Sequence, residues 1–221
     1  MIPLRALLTR RTVPVITVCI ILVNTAIFLF EASLPYYLRN IFIEQYALIP
    51  DRLHLSALVT SMFLHGGWLH LIGNMWFLWV FGSHIEDAIG WAKFLMLYLL
   101  CGIAAAIVQV FAMAGSPEPT IGASGAIAGI MGAFLLLYPR VRIVTLVILV
   151  IFITTVDLPA AIMLIYWFAI QLLSGLASFE SFSTAGGIAW FAHVGGFLAG
   201  ILFVRLFYDD SRRRRYERYY W

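Results

Sequence analysis

The chain has 221 residues, of which 63% are hydrophobic and 11% charged, with a formal net charge of +3. Soluble domains carry nearer a quarter charged residues, so this composition excludes an ordinary soluble domain, and the length suits one compact membrane domain. Cys19 and Cys101 both sit inside apolar runs, which argues against a disulfide framework or a zinc cluster. The HExxH pattern is absent, and His65 and His70 stand without an acidic ligand nearby, so no metal and no cofactor is expected.

Apolar runs of about 20 residues are candidates to span a bilayer. The first, 13–30, follows Arg5, Arg10 and Arg11 as a signal peptide would, but it lacks a clear small-residue cleavage site and more apolar runs follow. It is read as a retained first helix. Helices are expected near 13–31, 68–85, 92–114, 124–138, 160–178 and 188–208. The fold class is therefore an all-α polytopic membrane protein: a cytoplasmic N-terminus over 1–12, a membrane domain over 13–208 and a basic cytoplasmic tail over 209–221. The long first loop, 32–67, contains an amphipathic stretch from Tyr36 to Leu48 that suits the membrane interface. The loops 115–123 and 179–187 are Gly/Pro-rich and Ser/Gly-rich.

Lys and Arg orient these segments. With six crossings and the N-terminus inside, Arg5, Arg10, Arg11, Lys93, Arg140, Arg142, Arg205, Arg212 to Arg215 and Arg218 all fall inside, and only Arg39 and Arg52 fall outside. This is the positive-inside bias of membrane proteins. It directs loops 32–67, 115–123 and 179–187 outward. The segment 143–158 is apolar but short, and a crossing there would invert everything after it. It is expected to dip into or lie along the inner side, helical or buried against the protein, with Pro159 opening the next helix.

Polar residues within a membrane are costly and mark function. His70 and Asn74 lie i, i+4 on one helix face, either as two donors for a developing negative charge or as interfacial residues tying down the loop. Gly122-Ala123-Ser124-Gly125 opens a helix whose Gly125, Gly129 and Gly132 form a smooth stripe. His193 shares a face with Gly196 and Gly200. Each motif alone reads equally as packing. Together they suggest more: two glycine stripes face to face let a serine reach a histidine, and His70, Asn74 and the Ser124 N–H can bind an oxyanion. No acid is placed to orient His193, so a dyad is inferred. The helix from Ser124 to Tyr138 spans about 22 Å at 1.5 Å per residue, against a hydrocarbon core of about 30 Å. Ser124 then lies at the floor of a wet, outward-open pocket.

The segments HGGWLHLIGN, GASGAIAG and AHVGGFLAG, in this order over about 60–205, resemble the rhomboid proteases. The resemblance implies a six-transmembrane-helix bundle with a partly embedded first loop. It implies a serine endopeptidase that cuts in or near transmembrane segments, with Ser124 as nucleophile and His193 as base. His70, Asn74 and the Ser124 amide form the oxyanion hole, and Gln109 either helps to retain water or merely faces another helix. Glu86 stabilises the inner end of its helix. The implied partners are transmembrane protein substrates and membrane lipids, with no nucleic acid and the oligomeric state left open. The compact sequence, in which no organelle presequence is recognised, is expected in a bacterial cytoplasmic membrane. Two departures stand out: Asp51-Arg52-Leu53-His54 lies where the family carries a Trp-Arg pair, and Ala128 lies four positions after the serine, where some members place an aromatic residue against the histidine. Rival readings are an inactive relative that escorts membrane helices, which typically lacks the serine or the histidine, and a small transporter, which would show repeats and broken helices.

The inferred topology is tested by single cysteines at Asp157 and Ser211 in a chain lacking Cys19 and Cys101. Both are expected to stay protected from an impermeant thiol reagent in intact cells and to react once the membrane is opened. Labelling of Ser211 from outside contradicts the topology.

Overall fold

The computed structural model describes residues 1–149, 152–181 and 189–208. The chain is a helical bundle built from α1 (Val15–Ser33), α2 (Tyr36–Tyr46), the short α3 (Ala57–Thr60), α4 (Trp68–Phe77), α5 (Ser83–Ile89), α6 (Trp91–Ala112), α7 (Ser124–Leu137), α8 (Ala160–Ser181) and α9 (Trp190–Phe207). Among the described residues, α1, α6, α9 and 160–177 of α8 are each long and apolar enough to cross a bilayer. α4 continues into α5 through a π-helical turn at Leu78–Gly82. The wider turn re-aims the half of the helix that follows it. α7 falls short of a crossing's length, with 14 residues, and it is buried almost throughout at the centre of the bundle, flanked by α6 and α9.

The expected helices are all present, with ends shifted by a few residues. The segment 143–158 differs. It forms a hairpin of β2 (Arg142–Leu149) and β3 (Phe152–Pro159), and β1 (Ile2–Ala6) adds a third antiparallel strand on β2. It is therefore not helical; Ile143 and Thr145 of β2 are buried against the protein, as expected, whereas Ile153 and Val156 of β3 are exposed. The reason is local. Ile143, Val144, Thr145, Val147, Ile153, Thr154, Thr155 and Val156 are β-branched and favour strands. The N-terminal residues supply the pairing edge that a sequence window cannot reveal. Because Arg142 pairs with Pro159, the hairpin returns to the end of the bundle where it began. Pro159 then hands over directly to α8. The basic tail at 209–221 and residues 182–187 of the last loop lie outside the described residues.

Buried carboxylates pin α1 at both ends. At its start, Glu86 of α5 accepts the Ile16 N–H at 2.8 Å, the Thr17 N–H at 2.8 Å and the Thr17 hydroxyl at 2.7 Å. These are first-turn donors with no intrahelical partner, so Glu86 does for α1 what a capping side chain does elsewhere. At its end, fully buried Glu31 accepts from Arg39 Nε at 3.2 Å and Nη2 at 3.1 Å, and from the His65 N–H at 3.3 Å. Glu31 thus ties α1, the interfacial helix α2 and the residues before α4 into one corner. This corner anchors the first loop in a chain that lacks the Trp-Arg pair.

Arg39→Ala is expected to leave the Glu31 carboxylate buried without its cation. The loss should fall towards the lower end of the about 3–5 kcal/mol seen on breaking buried pairs, because the Arg39 side chain stays 30% exposed. Glu31→Gln keeps an acceptor for the His65 N–H and should lose less. Thermal unfolding of both variants in detergent checks the order.

Candidate active site

The site begins with glycine. α7 and α9 touch through their backbones: a Cβ on Gly196 would collide with the Gly125 carbonyl, one on Gly200 with the Gly129 carbonyl, and one on Gly132 with the Phe197 carbonyl. α6 closes the third side, where a Cβ on Gly125 would stand 2.7 Å from that of Ala105. At this separation side chains one turn from the contact meet across it. Ser124, the first residue of α7, has its Oγ 2.8 Å from His193 Nε2. His193 is buried, and its Nδ1 lies 2.6 Å from Gln171 Oε1 on α8. A hydroxyl and an imidazole at this distance have the geometry for proton transfer.

The turn before Ser124 is shaped for a second purpose. Gly122 has φ +121, a conformation that side chains disfavour. A Cβ there would stand 2.7 Å from His70 Nε2 and 3.5 Å from Asn74 Nδ2. His70 and Asn74 of α4 therefore both reach the turn that leads into the serine. His70 Nδ1 accepts the Gly66 N–H at 3.5 Å, which leaves the Nε2 proton to face Gly122. Asn74 Nδ2 is buried and has no hydrogen-bond acceptor among the described residues. A buried amide donor left unsatisfied costs about 1–3 kcal/mol, and such donors at a site are suited to a charge that develops only during reaction. The first turn of α7, which follows directly on Gly122 and Ala123, carries no side-chain cap.

The loop that reaches Ser124 is not bare backbone. Leu48 and Thr120 exchange hydrogen bonds at 3.0 and 2.8 Å, and the Gly122 N–H donates to the Ser61 carbonyl at 2.9 Å. The first loop thus pairs part of the backbone of the loop before the serine. A cleft beside Ser124 is lined by small residues, among them Gly102, Ala105, Ala106, Gly122, Ala189 and Ala192.

The structure brings Ser124, His193, His70, Asn74 and the glycines 122, 125, 129, 196 and 200 together. Gln109 takes a different position: its Oε1 accepts the Ala192 N–H at 3.1 Å, one residue before the histidine. It faces another helix and holds the start of α9. The sequence reading missed Gln171, together with Trp167 and Trp190, whose rings lie 5.7 and 6.4 Å from that of His193. A polar Gln171 in an apolar helix was a usable signal. Which face of α8 meets the histidine was not.

This is a polytopic helical membrane protein with a buried serine–histidine contact at the head of a glycine-packed helix. The Rhomboid domain model matches residues 52–209, so the chain belongs to the rhomboid family. It is 44% identical over 79 residues to the rhomboid protease GluP of Bacillus subtilis, covering 35% of this chain and 15% of that protein. It is 27% identical over 191 residues to the mitochondrial Rhomboid protein 1 of Saccharomyces cerevisiae, covering 80% of this chain and 50% of the other. To the human mitochondrial presenilin-associated rhomboid-like protein it is 29% identical over 157 residues, 67% of this chain and 37% of that one. The chain spans half or less of the length of each of these relatives.

Gly200→Leu is expected to force α9 off α7, since the new side chain would meet the Gly129 backbone. Overpacking of this kind costs about 1–3 kcal/mol or more. Lower thermal stability should come together with loss of the Ser124–His193 contact, read as slower labelling of Ser124 by a fluorophosphonate.

Proposed function

We propose that this chain is an intramembrane serine endopeptidase that hydrolyses peptide bonds in or near the transmembrane segments of other membrane proteins. The observation that carries the reading is the 2.8 Å contact between Ser124 Oγ and His193 Nε2, beside the buried amide of Asn74, which has no acceptor among the described residues. In the first step Ser124 Oγ attacks the scissile carbonyl carbon and its proton passes to His193 Nε2. The carbonyl oxygen becomes an oxyanion held by His70 Nε2–H, Asn74 Nδ2–H and the Ser124 N–H. Collapse breaks the C–N bond, and His193 returns the proton to the leaving amine. Water then attacks the acyl-serine, giving its proton to His193. The second collapse frees the new carboxyl terminus and restores the Ser124 hydroxyl.

The small side chains beside Ser124 support a small residue before the cut, on a substrate helix that unwinds readily. The charge distribution supports termini on the cytoplasmic side of the membrane, with the site opening outward. Gln109, through the Ala192 N–H, keeps the start of α9 in place in this mechanism.

Ser124→Ala and His193→Ala are each expected to abolish cleavage of a model transmembrane substrate, and the double variant should be no worse than either, because members of one catalytic unit lose activity non-additively. Asn74→Ala should keep the fold and lose on the order of 10²–10³ in turnover. Cleavage by Ser124→Ala at the wild-type rate overturns the proposal.

A further inference from the structure

Ala128 removes the aromatic support that some relatives place against the histidine. His193 is nonetheless enclosed, and the supports come from α8. Gln171 and Trp167 are one turn apart, at i and i−4, so both project from the same face. Gln171 is buried at 6% exposure, and its Oε1 meets His193 Nδ1 at 2.6 Å. The Trp167 ring lies 5.7 Å from the imidazole at an interplanar angle of 38°. Trp167 is held in turn: Phe197 packs at 6.1 Å, and Phe168 stacks on Phe197 at 4.8 Å.

We infer that Gln171 is the orienting third member of the site and that Trp167 is the platform on which His193 rests. The inference builds on the protease reading. A carboxamide oxygen accepts and cannot donate. Facing Nδ1, it requires the proton there, which leaves the Nε2 lone pair towards the Ser124 hydroxyl. The opposite tautomer would present N–H to the serine and could not act as a base. When Nε2 takes the serine proton, Gln171 still accepts from Nδ1–H and no second proton moves. The carboxamide dipole and the Trp167 ring face both favour the imidazolium that forms, the ring by cation–π attraction within about 6 Å. In soluble serine proteases a buried carboxylate has this orienting task. Here a neutral group does it, which avoids an unpaired charge among apolar helices. Gln171 and Trp167 are positioning residues: they act through His193.

The test uses the full chain in detergent or lipid, with a model transmembrane substrate and ¹⁵N-histidine NMR. Wild type is expected to show His193 as the Nδ1–H tautomer. Gln171→Leu should lower kcat on the order of 10²-fold, the cost of misplacing a reacting group by about 1 Å, with KM and thermal stability close to wild type. Its His193 should show mixed tautomers. Gln171→Glu keeps an acceptor and should recover most of kcat, and Trp167→Leu should lower kcat with KM unchanged. An unchanged kcat in Gln171→Leu, or an Nε2–H tautomer in wild type, overturns the inference. The NMR result does not depend on turnover, so it decides the inference even if Gln171→Leu fails to fold. Wild type that neither cleaves substrate nor labels with fluorophosphonate overturns the protease reading instead.

Discussion

Two helices can approach until their backbones touch only where neither carries a side chain. In this protein that condition holds along one line, where Gly196 and Gly200 of α9 rest on the Gly125 and Gly129 carbonyls of α7. Apolar side chains give little net drive for helix association in lipid, so close van der Waals packing has to supply it. The same closeness sets the chemistry. A contact thicker by one methyl group would push Ser124 and His193 beyond hydrogen-bonding reach. Stability and site geometry therefore share one interface, and neither can be altered there without the other.

Around that interface the molecule satisfies polar groups in pairs that cross between elements. Glu86 takes the first-turn donors of α1, Glu31 takes Arg39 and the His65 N–H, and Gln109 takes the N–H of Ala192. Each of these groups would be expensive to bury alone. Placed at helix ends, they fix where one helix starts relative to its neighbour. The corner at Glu31 bears on the site indirectly, because the residues it holds lead into Gly66 and the helix of His70 and Asn74. Asn74 differs from these: among the described residues its buried amide has no acceptor, at the place where the proposed reaction would create one.

The three-stranded sheet shows a different use of the chain. The apolar segment after α7 has the composition of a membrane span but too little length for a helical crossing. β-branched residues and the nearby N-terminal strand turn it into a hairpin that leaves and returns at one end. The parity of the bundle is thereby preserved, and α9 starts at the level at which α7 starts.

The class of protein, the positions of the long helices and the polar residues that the fold gathers around Ser124 were legible in the sequence. Apolar length, the Lys/Arg distribution and the spacing of Ser124, His193, His70, Asn74 and the glycines are one-dimensional signals, repeated every turn of a helix, and they survive without coordinates. Tertiary structure alone decided the partners of those residues. Gln171 and Trp167 stand more than twenty positions before His193, and Glu31 stands 34 positions from His65. Nothing local links them. Which face of one helix meets which face of another depends on the packing of the entire bundle. The same is true of the sheet: β1 and β2 are some 140 residues apart in the chain, and a strand's partner is chosen by where the fold brings an unpaired edge.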